Sequence, residues 1–86
     1  MNVSKGIYEG YKVLKQITGE AYLFVNEDQY FLVGIEKASC KDKSKIIDKV
    51  LDKVYNYGDE FFISVIITEK ENFEKIKKEL GKQIIP

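Results

Sequence analysis

Apolar residues recur at helical spacing in three stretches of the chain and crowd into short β-branched and aromatic runs between them. Val3, Ile7, Tyr11, Leu14 and Ile17 stand three or four residues apart, which fits one face of a helix over Val3 to Thr18. Gly6 and Gly10 lie inside that stretch, and each costs ~1 kcal/mol relative to Ala in a helix interior. The periodicity therefore predicts a helix starting as late as Tyr8, with a strand as the alternative, and Gly19 as its C-terminal cap. Ala21 to Val25 and Tyr30 to Ile35 are strand-like runs on either side of the polar turn Asn26-Glu27-Asp28-Gln29, the pattern of a hairpin. From Ser44 to Tyr57, Ile46, Ile47, Val50, Leu51, Val54 and Tyr55 form an apolar stripe opposite Lys45, Lys49, Asp52 and Lys53. That segment is an amphipathic helix, ended by Gly58.

Phe61 to Ile67 is almost continuously apolar rather than alternating, which predicts a strand covered on both faces and placed at the centre of its sheet. Thr68 with Glu71 has the spacing of a capping box for a last helix reaching Leu80. Its buried stripe would be Phe73, Ile76 and Leu80, Glu71/Lys75 and Glu74/Lys78 would pair across one turn, and Gly81 would provide the exit. The element order is α-β-β-α-β-α. A helix joining two strands of one sheet makes those strands parallel, whereas the hairpin is antiparallel. The fold class is thus α+β, an α/β arrangement of two to three layers around a small mixed sheet of three strands. Residues 1–86 are expected to form one small globular domain.

Composition then narrows the chemistry. Fourteen Lys balance five Asp and nine Glu, with no Arg and no His, so the formal charge is zero and capture of a polyanion by bulk charge is disfavoured. Without His no side chain has an ordinary pKa near neutrality, and without Arg the planar fork that grips phosphate in two places is missing. One cysteine excludes an internal disulfide and, with no His, the common Cys/His zinc sites. The longest apolar run is far shorter than the ~20 residues of a spanning helix. The opening Met1-Asn2-Val3-Ser4-Lys5-Gly6 lacks the apolar stretch of a signal peptide, so the expected location is cytoplasmic, with no membrane partner. The Lys and Glu content also hints at a heat-adapted source.

The ordering and several runs resemble the minimal nucleotidyltransferase domain of the antitoxin type. In that family a strand ending Leu-Phe-Gly-Ser precedes a strand beginning Asp-x-Asp, and a later strand carries a third carboxylate before a helix rich in Glu and Phe. Here Tyr22-Leu23-Phe24-Val25 is similar to the first strand, Asp28-Gln29-Tyr30-Phe31-Leu32-Val33 to the second, and Ile63-Ser64-Val65-Ile66-Ile67-Thr68 with Glu69 to Phe73 to the third strand and its helix. The likeness spans roughly Tyr8 to Leu80. Nucleotidyl transfer needs clustered carboxylates for two metal ions and a Gly-Ser turn that lets the triphosphate approach the backbone. Val25 and Asn26 stand where Gly-Ser would be, Asp28 matches the first carboxylate, Tyr30 takes the second position, and Ile63 or Ser64 the third. The resemblance therefore implies a nucleotidyltransferase-like fold with a degenerate site, no cofactor and no enzyme activity.

Each remaining candidate has an ordinary reading beside its functional one. Glu27 and Asp28, with Glu36, could hold Mg²⁺ for a nucleotide, yet acidic residues also populate turns for local hydrogen bonding. Cys40 lies among lysines at a helix start, where a thiol can become reactive, but it lacks a resolving cysteine. The Tyr and Phe residues beside lysines could stack on single-stranded nucleic acid, although Phe24, Phe31, Phe61, Phe62 and Phe73 fall on expected core faces. Tyr8, Tyr11, Tyr55 and Tyr57 are the aromatics the core needs least, and tyrosine is favoured at protein interfaces. The sequence reading is a non-catalytic domain that binds a protein partner or itself, as a homodimer. A weak Mg²⁺-nucleotide binder or minimal nucleotidyltransferase is one alternative, and a single-stranded nucleic-acid-binding module another.

Overall fold

The computed structural model describes residues 5–58 and 62–85. Helix α1 (Lys5–Thr18) leads into the hairpin of β1 (Ala21–Asn26) and β2 (Gln29–Ile35). Helix α2 (Cys40–Tyr55) crosses over to β3 (Ile63–Thr68). Helix α3 (Lys70–Ile76), a 3₁₀ turn (Lys77–Leu80) and β4 (Lys82–Ile85) complete the chain. The sheet order is β3-β2-β1-β4, with β2 and β3 parallel and the other pairs antiparallel. The α+β class, the antiparallel hairpin and the parallel crossover are as the sequence predicts. Val3 and Phe61, assigned above to the apolar face of the first helix and to the third strand, lie outside the described residues.

Strand alternation divides the apolar residues between two layers of helix. Ala21, Leu23, Leu32 and Ile67 face α1 and α2, where Ile7, Tyr11, Leu14, Ile46 and Val50 complete one core. Phe24 and Val33 face the other way and pack with Phe73 and Leu80. Phe73 closes this second layer by stacking on Tyr22 at 5.0 Å between ring centroids and meeting Phe24 edge-on at 5.9 Å.

The sheet has four strands rather than three, because Lys82–Ile85 pairs with β1. β3 pairs with β2 alone and so stands at an edge instead of the centre. Its continuous apolar run reflects helices above and below the sheet, which says nothing about a lateral neighbour. Phe62, placed above on a core face, is 68% exposed just before β3. Helix α1 runs from Lys5 through both glycines, and at Gly10 a Cβ would collide with Val54 Cγ2 of α2 and lie 3.6 Å from Val50 Cγ1. The close approach of the two helices explains a residue that propensity alone disfavours.

Helix α2 begins a turn earlier than its apolar stripe, because Ser39 caps it by accepting from the Asp42 N–H at 3.2 Å. The capping box at Thr68 does not form. Glu69 occupies the N-cap of α3 without a side-chain bond, and Thr68 Oγ1 ends β3 by accepting from Asn72 Nδ2 at 2.7 Å. On that helix Glu74 pairs with Lys77 at 2.8 Å rather than with Lys78, and among the described residues Glu71 and Lys75 make no ion pair. The register of the last turn changes when α3 tightens into the 3₁₀ form, which turns side chains at i and i+3 toward each other.

Candidate functional site

The positions that the resemblance gives to metal-binding carboxylates meet at the hairpin end of the sheet. Parallel pairing sets Tyr30 beside Ile63 and Phe31 beside Ser64. Gln29 Nε2 donates to Ser64 Oγ at 3.0 Å, tying the first residue of β2 to the second of β3. Glu27 and Asp28 form the exposed turn next to them, with Glu27 in the left-handed region at φ 57°. Of the four positions at this end of the sheet, Asp28, Tyr30, Ile63 and Ser64, only Asp28 carries a carboxylate, and Ile63 and Ser64 face opposite sides of the sheet. A tyrosine, an isoleucine and a hydroxyl already engaged by Gln29 do not make a hard-cation site with it.

Glu36 does not join this group. It follows β2 at the opposite end, eight residues from Asp28, a span of about 26 Å along an extended strand. Among the described residues no three acidic or cysteine side chains cluster closely enough to share a metal ion. Cys40 is a free, exposed thiol at the first position of α2.

The tyrosine group divides. Tyr11 is 5% exposed and belongs to the core with Ile7 and Leu14, so it is no interface residue. Its spacing from those two residues on α1 is what buries it. Tyr8, Tyr55 and Tyr57 are exposed, between 41 and 46%. Tyr8 lies on α1, stacks against Tyr11 at 6.3 Å and has Lys12 Nζ over its ring at 5.3 Å. Tyr57 follows α2 and has Lys5 Nζ 5.8 Å from its ring centre. The Glu9 carboxylate, 2.9 Å from Lys12 Nζ, is the main cause that raises the Lys12 pKa, and Tyr8 and Tyr57 both add to it. The N-terminal turns of α1 and the end of α2 thus present two tyrosines held in a frame of lysines. Cation–π contacts of this kind are individually weak at exposed sites.

Compared with family models, curated proteins and solved structures, the chain matches none. Among the described residues no helix is long and apolar enough to cross a membrane. A shallow groove lined by Lys12, Lys15, Gln16 and Gly19 lies at the end of α1, remote from the hairpin turn.

Sequence reasoning misses one polar cluster, because its members lie 50 residues apart and only the fold joins them. Glu20 Oε2 accepts from Lys70 Nζ at 2.6 Å and from the Tyr22 hydroxyl. Lys70 and then Tyr22 hold the Glu20 carboxyl below its ordinary value, while Glu20 raises both Lys70 and Tyr22. The cluster links the start of β1 to the start of α3, and its exposure to water makes its role positional more than energetic.

The signs follow from linkage. A carboxyl depressed in the folded state contributes stability above its ordinary 4.5 that is lost as pH falls through the folded value. Tyr22 and Lys70, both raised, contribute stability that is full below 10.0 and 10.5 and lost as pH rises. Lys70→Met is expected to move the Glu20 titration midpoint upward, toward the ordinary carboxyl value, in a carboxyl-detected NMR titration. An unmoved Glu20 midpoint would contradict the pairing.

Proposed function

We propose that this chain is a non-catalytic, nucleotidyltransferase-like domain that works as a protein-interaction module, associating with a protein surface and with itself. The observation that carries this reading is that Tyr8, Tyr55, Tyr57 and Phe62 stand 41 to 68% exposed while both cores are filled without them. Large aromatic side chains give much contact area for little lost conformational freedom, and they are enriched where proteins meet. The occupants of the hairpin end support the non-catalytic half of the proposal, since Tyr30, Ile63 and Ser64 replace the carboxylates that two-metal chemistry uses.

Sedimentation velocity of the full chain from micromolar to millimolar concentration tests the proposal. A mass rising above the 10.0 kDa of one chain is the expected result. A 10.0 kDa particle at every concentration would remove self-association.

A further inference from the structure

The two edges of the sheet are unlike. At one edge β4 has four residues, begins with Lys82 and is short in the way that protects natural edges. At the other, β3 runs six residues, Ile-Ser-Val-Ile-Ile-Thr, without a charge, a proline or a glycine. Two hydrogen bonds fix which of its backbone groups face β2. The Tyr30 N–H donates to the Phe62 carbonyl at 2.8 Å and the Glu36 N–H to the Thr68 carbonyl at 2.9 Å. Even-numbered residues of β3 therefore face β2, and the period of two turns the N–H and C=O of Ile63, Val65 and Ile67 away from the sheet. Ile67 is buried, whereas Ile63 to Ile66 are half-buried and Phe62 is the most exposed large apolar side chain among the described residues.

Resting on the self-association reading above, we infer that the occupant of this edge is β3 of a second copy, paired antiparallel about a two-fold axis at Ser64. In that register Ile63 exchanges both backbone hydrogen bonds with Val65 of the partner subunit, and Val65 does so with Ile63 of the partner subunit. Ser64 meets Ser64 of the partner subunit as a non-hydrogen-bonded pair, about 4.5 Å apart at Cα. Its oxygen already accepts from Gln29, which leaves the hydroxyl hydrogen to donate across the axis. Phe62 falls opposite Ile66 of the partner subunit, the aromatic and β-branched combination that stabilises cross-strand neighbours.

Three observations select a second copy. The strand is self-complementary, because no charged side chain within Phe62 to Ile66 meets its like across the axis. The chain has zero formal charge, so copies do not repel at long range. The register also covers Phe62, the side chain the monomer leaves most exposed. The two sheets become one of eight strands, with the short β4 edges outermost.

Three chains test the inference, with the far-UV circular dichroism of each checked against the unaltered protein. Ser64→Cys in a Cys40→Ser background is expected to give a disulfide-linked dimer on mild oxidation, since the Cα separation lies in the range a disulfide spans. Gln83→Cys in the same background sits on the far edge, about 34 Å from its symmetry mate across seven strand spacings, and should stay monomeric on the gel. Phe62→Glu alters a side chain the monomer core does not use, and should raise the dimer dissociation constant at least tenfold by sedimentation. An unaltered protein that stays monomeric at millimolar concentration overturns both this pairing and the self-association reading. A dimer that persists in Phe62→Glu and fails to cross-link through Ser64→Cys overturns this edge alone, and places the association elsewhere, with the exposed tyrosines next to be substituted.

Discussion

Leu32→Ala should cost about 4 kcal/mol of folding stability, the middle of the range for emptying a large buried site. Leu32 has no exposed surface, sits on the inner strand β2, and faces the layer made by α1 and α2. Neighbours that could collapse into the gap are constrained. Gly10 already brings α1 against Val54 and Val50 of α2, and it lies within 3.5 Å of Leu32 through the position its Cβ would take. A domain of this length has about 4–13 kcal/mol to lose, so the substitution removes between about a third and all of its stability. Thermal denaturation should show a midpoint lowered by roughly 16–32 °C, or no cooperative transition. A change below about 4 °C would mean that this layer is not the principal core.

Gly81→Ala should cost about 3 kcal/mol for a different reason, backbone strain rather than a cavity. Gly81 turns the chain from the 3₁₀ segment into β4 with φ 94° and ψ −142°, a conformation that essentially only glycine adopts. A Cβ there would collide with the Val25 carbonyl oxygen and come within 2.7 Å of Asn26 Cβ, both on β1 and neither free to swing away. Relief would require β4 to leave β1. The variant should lower the melting midpoint by roughly 12–24 °C and increase amide exchange along Lys82–Ile85. An unchanged midpoint with β4 amides still protected would contradict the geometry of this turn.

Much of the fold is legible in the sequence where periodicity is long or a turn is explicit. The stripe from Ile46 to Val54 and the polar turn at Asn26 to Gln29 identify α2 and the hairpin, and the crossover logic makes β2 and β3 parallel. What escapes is lateral. A continuous apolar run such as Ile63 to Ile67 reports cover above and below a strand, whereas its place in the sheet depends on where a fourth strand attaches. Four residues after a glycine are too short to register as that strand. The first turn of α2 is invisible to a hydrophobic pattern because Cys40, Lys41, Asp42 and Lys43 present none, and only the cap at Ser39 marks it.

The candidate site is legible in part for the same reason. The spacing of Tyr11 from Ile7 and Leu14 on α1 places it on the buried face, and its aromatic type gives no signal that outweighs that spacing. Tyr8 and Tyr57 come to lie in one frame of lysines only because α1 and α2 pack closely at Gly10, a contact with no local signature. That Asp28, Tyr30, Ile63 and Ser64 share one end of the sheet depends on the β2–β3 register, although the identity of the residues placed there is plain in the sequence.

The proposed function has this domain act through its surface and not through a nucleotide pocket at the hairpin end. A ¹⁵N–¹H titration with Mg²⁺–ATP addresses it most directly, following Asn26 to Tyr30 together with Ile63 and Ser64. Resonances that stay in place at millimolar nucleotide are the expected result. Shifts concentrated on those residues and saturating with nucleotide would contradict the account, and would make Asp28 the first residue to substitute in a search for activity.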